Sequence, residues 1–87
     1  MTNTMSAIEA ERRGRIKEIV CNILEIEEGE VTPTSLFKEN HGADSLRSIE
    51  ILSALEREFG VVIDQMELPK MVNLDGVYAV TAQSAGW

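Results

Sequence analysis

The sequence contains one cysteine, Cys21, and one histidine, His41. A lone cysteine excludes an internal disulfide and a cysteine-based zinc site, and it fits a reducing compartment such as the cytoplasm. A lone histidine, in a chain with no Gly-x-Ser-x-Gly elbow, leaves too little to build a serine hydrolase, whose nucleophile needs a base held by an acid. No catalytic set and no metal site is expected. Aromatic residues make up only 5% of the chain, so the core must be mostly aliphatic. No apolar run approaches the ~20 residues of a membrane span. The opening MTNTMSAIEAERRG has no apolar segment of the kind a signal peptide needs. Basic residues are scarce, 8 against 15 acidic ones, for a net charge of -7. That field repels phosphate backbones and anionic lipid, so neither nucleic acid nor membrane is expected as a partner. Proteins with basic patches are.

What is present is helical. The 87 residues make one small domain, 1–87, and 44% hydrophobic residues suffice for a core without room for a deep active site. Ser6 and Glu9 fit a capping box. After them Ile16, Ile19, Val20, Ile23 and Leu24 repeat with helical spacing, opposite Arg12, Arg13, Lys17 and Glu18. The spacing predicts a first helix over 6–25, weakened before Gly14, with Cys21 beside its buried stripe as an inert core thiol. Residues 27–43 read as a long loop punctuated by Gly29, Pro33, Asn40 and Gly42, tucked onto the core by Leu36 and Phe37. A loop of that length tends to be functional or to carry a short helical turn.

The helical pattern resumes with Leu46, Ile49, Leu52, Leu55 and Phe59, widened by Ile51 and stopped by Gly60, which predicts a helix over 46–59. VVID (61–64) is an apolar connector. Asp64 can cap a brief helix, QMEL, ended by Pro69, and Met66 and Met71 are expected to line the space beside it. Asn73 can cap a last helix holding Leu74, Val77, Tyr78 and Val80, in which Gly76 is a weak point. Residues 81–87 are small and polar enough to form a mobile tail, with Trp87 free to dock. The predicted fold is all-α: a compact three-to-four-helix bundle with a long loop between its first two helices, folded over about 6–80.

Within this pattern GADSL (42–46) admits three readings. Asp44 or Ser45 is a helix cap; Ser45 is a nucleophile; or Ser45 receives a phosphate-linked group, favoured by the exposed N–H groups and dipole of a helix N-terminus. The second fails, since His41 is the only available base. Residue chemistry alone does not decide between the other two.

The stretch GADSLRSIEILSALEREFGVVI resembles the signature of the acyl carrier protein family. Asp44, Ser45 and Leu46 open the helix, and Ala54, Leu55, Glu56, Phe59, Gly60, Val61 and Ile63 match its close. The resemblance implies that Ser45 bears 4'-phosphopantetheine, transferred from coenzyme A by a phosphopantetheinyl transferase, and that acyl groups ride on its thiol as thioesters. It implies a monomer that docks an acyltransferase, a ketosynthase or an acyl- or aminoacyl-activating ligase. The contact positions it implies are Asp44, Leu46, Ile49, Glu50, Ser53 and Glu56, together with Arg47 and Arg57. The two arginines depart from the family, because both positions are often acidic in carriers of fatty acid synthesis, and Ser53 stands where a large apolar residue is common. These departures point to a dedicated carrier of a polyketide or related natural-product pathway. A housekeeping fatty acid carrier, a peptidyl or aminoacyl carrier, and an unmodified helical adaptor remain as alternatives.

Overall fold

The computed structural model describes residues 7–87, so the Ser6–Glu9 capping box lies partly outside the described residues. Helix α1 (Ala7–Leu24) runs unbroken through Gly14 and buries Ile16, Ile19, Val20 and Cys21. It ends where Glu25 adopts a left-handed conformation (φ 58°) and the Ile26 N–H reaches back to the Cys21 carbonyl at 3.1 Å. That bond satisfies one of the carbonyls a helix end leaves open.

The long loop is ordered by its own hydrogen bonds. A 3₁₀ turn over Glu28–Glu30 is closed when the Glu27 N–H donates to the Glu30 carboxylate at 2.8 Å. Val31 and Phe37 are buried. The Asp75 N–H donates to the Pro33 carbonyl at 3.1 Å, and the Phe37 N–H donates to the Val72 carbonyl at 2.9 Å, so the loop is tied to the chain around the last helix. The short turn of helix is α2 (Phe37–His41). It stops at Gly42, whose φ of 68° suits a residue without Cβ.

Helix α3 (Ser45–Phe59) sets its buried face with Ile51, Leu52 and Leu55. Phe59, the last residue of α3 before Gly60 (φ 64°), is half-buried and packs against the core. The connector buries Ile63 and exposes Val62. The next segment is a 3₁₀ helix over Gln65–Lys70, with Asp64 accepting from the Met66 N–H at 2.9 Å. It runs past Pro69, expected to end it, since the ring fixes φ near the value a 3₁₀ turn uses.

Helix α4 (Leu74–Ala85) is capped by Asn73, whose Oδ1 accepts from the Gly76 N–H at 2.7 Å. It extends five residues beyond the expected limit at residue 80. Thr81 explains part of this: it is fully buried, and its hydroxyl donates to the Val77 carbonyl at 2.8 Å, so it behaves as a core residue. Trp87 explains the rest. Its ring meets Phe59 edge-on with centroids 5.1 Å apart, lies 6.1 Å from Tyr78, and carries the Arg12 guanidinium 4.2 Å from its centroid. Residues 81–87 are thus helix and a docked aromatic rather than a loose tail.

The described residues form an all-α bundle without strands. Ile16, Val20, Ile51, Leu55 and Val77, each at most 1% exposed, bring α1, α3 and α4 into one aliphatic core. On its surface Arg15 of α1 binds Glu58 of α3 with two hydrogen bonds of 2.9 Å. This planar two-point pair fastens the two helices side by side.

Candidate attachment site and docking face

The α2–α3 corner is three residues long, and the left-handed Gly42 makes the reversal possible. Ala43 points inward and its N–H donates to the Phe37 carbonyl at 3.0 Å. Asp44 is the cap of α3, with Oδ1 accepting the Arg47 N–H at 3.0 Å. Ser45 is the first helical residue, exposed, and its hydroxyl has no hydrogen-bond partner among the described residues. The cap is therefore the carboxylate, and the hydroxyl is free. The N–H groups of Ser45 and Leu46 lie in the first turn, where they have no partner within the helix.

Ser45 opens onto a groove of about 420 Å³ between α2, the start of α3 and the 3₁₀ helix. Its apolar lining comes from Leu36, Phe37, Ala43, Leu68, Met71 and Val72, with Lys38, Glu39, Asp44 and Ser48 adding polar groups. An unbonded hydroxyl, a positive helix end and an adjoining partly apolar groove fit a phosphodiester-linked chain. Of the two methionines expected near this space, Met71 lines the groove. Met66 does not: it is 81% exposed, on the outward side of the 3₁₀ helix.

His41 is half-buried, with Nε2 3.2 Å from the Ser35 hydroxyl. That hydroxyl already donates to the Thr32 carbonyl and accepts the Thr32 N–H, so the imidazole N–H is the donor to it. His41 holds the loop to α2. Cys21 is buried, and burial pushes its thiol pKa up, away from the reactive thiolate.

Along α3 the named docking positions separate. Leu46 and Ile49 are 62% and 43% exposed, unusually high for large apolar side chains. Asp44, Glu50, Ser53 and Arg57 are exposed as well. Arg47 and Glu56 are half-buried and engaged. Arg47 pairs with Glu50 at 3.2 Å and reaches Glu25, beyond the end of α1, at 3.3 Å. Glu56 accepts the Ile63 N–H at 2.8 Å and so closes the turn after α3. Of the two arginines on this helix, Arg47 is thus neutralised within the chain, while Arg57 has no ionic partner among the described residues.

The residues that sequence reasoning missed are Arg15 and Glu58. Their hydrogen bonds hold the Glu58 carboxyl below the usual carboxylate range. They lie 43 positions apart, and no spacing rule links them. Lys38, Leu68 and Val72 were missed for the same reason; only the folded loop brings them beside Ser45. Among the described residues no group of His, Cys, Asp and Glu is placed to hold a metal, and no helix is long and apolar enough to cross a membrane.

A family model described as a phosphopantetheine attachment site matches residues 14–78. The polyketide-8 synthase acyl carrier protein 1 of Streptomyces avermitilis is 64% identical over 80 residues, covering 92% of this chain and 95% of that protein. The polyketide-8 synthase acyl carrier protein 2 of the same organism is 32% identical over 83 residues, covering 95% of this chain and 92% of that protein. A chain of the solved structure described as the ishigamide ketosynthase/chain length factor is 44% identical, with a TM-score of 0.77 over 88% of this chain and 97% of that one. The match spans most of α1, the loop, α3 and the start of α4, and with it the chain belongs to the acyl carrier proteins of the phosphopantetheine attachment-site family.

Proposed function

We propose that this chain is a discrete acyl carrier of a polyketide pathway and that Ser45 is the residue bearing its 4'-phosphopantetheine. The observation that carries the assignment is the free, exposed Ser45 hydroxyl at the start of α3, beside a cap already supplied by Asp44. A hydroxyl spent on capping would be a poor acceptor of a new group. In the reaction with coenzyme A, Ser45 Oγ loses its proton to a phosphopantetheinyl transferase and bonds to the phosphorus that carries pantetheine. The P–O bond of the pyrophosphate breaks, and adenosine 3',5'-bisphosphate leaves. The bound arm supplies a thiol that holds acyl groups as thioesters.

The chain's own residues then present the cargo. The first-turn N–H groups of α3 face the phosphodiester, the groove walled by Leu68, Met71 and Val72 lies next to it, and Leu46 and Ile49 offer apolar contact to partner enzymes. Carriers of this family do not catalyse the chemistry of their cargo. The partners we assign are the transferase, a ketosynthase, and an acyltransferase or activating ligase that loads the arm. The names of the relatives favour a polyketide pathway over housekeeping fatty acid synthesis or peptidyl transfer. A monomer in the cytoplasm suits the buried single thiol and the net charge of -7.

The test is intact mass after incubation with coenzyme A and a phosphopantetheinyl transferase. Wild type should gain one phosphopantetheine, mapped by peptide analysis to Ser45, and Ser45→Ala should gain none while keeping its helical circular dichroism. Modification of Ser48 or Ser53, or a Ser45→Ala chain that still gains the mass, rejects the assignment. A wild type that gains no mass favours the unmodified adaptor.

A further inference from the structure

A second depression lies away from Ser45. It is a groove of about 780 Å³ between α1 and α3. Its apolar lining is Ile19 and Ile23 from α1 with Ile49 and Ala54 from α3. One ion pair bridges the two helices along it and another ties α3 to the residue after α1. Arg15 holds Glu58 in a two-point pair at 2.9 Å, and Arg47 holds Glu25 at 3.3 Å while also pairing with Glu50.

Arg57 lines the same groove and is unlike the other arginines. Of the five arginines in the sequence, Arg12 lies over Trp87, Arg13 lies over Tyr78 and pairs with Asp75, and Arg15 and Arg47 have glutamates. Arg57 has neither an ionic nor an aromatic partner among the described residues. The reason is local. On a helix surface the neighbours of a residue stand three and four positions away, and for Arg57 these are Ser53, Ala54, Gly60 and Val61, none of them acidic. The nearby acids cannot substitute, because Glu58 and Glu50 are already engaged by Arg15 and Arg47. Of the three arginines lining the groove, Arg15 and Arg47 are each engaged by two glutamates, which leaves Arg57 as the lining cation without one.

We infer that the α1–α3 groove is a second docking strip, which takes from a partner enzyme an apolar side chain flanked by a single carboxylate, with Arg57 as the residue that reads the carboxylate. The guanidinium fork matches a carboxylate at two points, and the isoleucines beside it take the apolar neighbour. Polyanions are poor candidates, since the overall field and the nearby glutamates repel them. The inference rests on the carrier reading. It extends the docking surface from the exposed edge at Leu46 across Ile49 to α1, and it makes one charge pair the source of partner selection.

The experiment uses the full chain, loaded at Ser45 and labelled at isoleucine and leucine methyl groups. The probe is the ishigamide ketosynthase/chain length factor. Wild type should bind it with shifts at the Ile19 and Ile23 methyls as well as at Leu46 and Ile49. Arg57→Glu should weaken binding about tenfold, the scale of one charge-assisted hydrogen-bonded pair, and Arg57→Lys should fall between. Lys17→Glu makes the same charge change outside the groove and should alter affinity less than twofold. Unchanged binding by Arg57→Glu, equal weakening by Lys17→Glu, shifts confined to Leu46 and Ile49, or no binding by wild type would each overturn the inference. Mass at Ser45 is read on every variant. Failure to load strikes the carrier reading, whereas normal loading with any of those outcomes strikes the groove alone.

Discussion

Asp44 caps α3 through Arg47, its Oδ1 accepting the Arg47 N–H at 3.0 Å. The bond assigns adjacent residues to different tasks. Asp44 stabilises the helix, and Ser45 next to it is left with a hydroxyl that the fold does not use.

Stability should therefore divide unequally between these neighbours. Asp44→Ala should lower unfolding free energy by about 0.5–2 kcal/mol, the range for a lost N-cap. Ser45→Ala should change it by less than about 0.5 kcal/mol, as expected of a surface position. Urea denaturation followed by circular dichroism compares the two, and equal losses would show that the serine shares the cap.

Leu55 and Ile49 are both large apolar residues of α3, yet one is completely buried and the other 43% exposed. Leu55→Ala should cost about 2–5 kcal/mol as a core truncation. Ile49→Ala should cost under about 1 kcal/mol, since much of its surface already faces water, and should slow acyl transfer to a partner. Comparable destabilisation with normal transfer would remove Ile49 from the docking face.

The Arg15–Glu58 pair gives a pH dependence of known sign. Hydrogen bonding to Arg15 lowers the Glu58 pKa from its ordinary value of 4.5. Its contribution is fully present above that ordinary value and is lost as pH falls through the lowered one. Glu58→Gln should thus be less stable than wild type at pH 7, and the gap should close as the solution is acidified below about pH 4.5. A gap that stays constant over that range would mean the pair contributes no charge-dependent stability. Both groups are solvent-exposed, so the effect should be small and should shrink in salt.

Gly76 sits inside α4, where alanine would ordinarily be the better helix former. A Cβ at this position would collide with the Lys70 carbonyl oxygen and press on Asn73 Oδ1, 3.1 Å away. Gly76→Ala should therefore destabilise the protein by more than about 1 kcal/mol, the sign opposite to propensity. Gly14→Ala, with nothing near its Cβ, should stabilise it by up to about 1 kcal/mol. Thermal denaturation of the two variants reads the contrast, and a Gly76→Ala chain at least as stable as wild type would show that the crowding relaxes without cost.

The legible part of this protein was written in short-range signals. Apolar spacing marked α1 and α3, Asn73 and Asp64 were readable as caps, and Gly60 was readable as a stop. Each depends on residues within one or two helical turns, so chain order alone exposes them. The motif at 42–46 was legible in the same way, down to its two candidate oxygens.

What the tertiary structure decided involves groups far apart in sequence. An amphipathic arc as wide as that of α3 has more apolar residues than one neighbour can cover, and the packing of α1 and the 3₁₀ helix against it helps bury Ile51, Leu52 and Leu55 while leaving Leu46 and Ile49 in water. The same packing brings Arg15 to Glu58, Arg47 to Glu25 and Trp87 to Phe59. Periodicity tells which residues share a face of one helix. It carries no information about where another helix crosses that face, and it is that crossing which separates core from exposed surface and leaves Arg57 without an ionic or aromatic partner among the described residues.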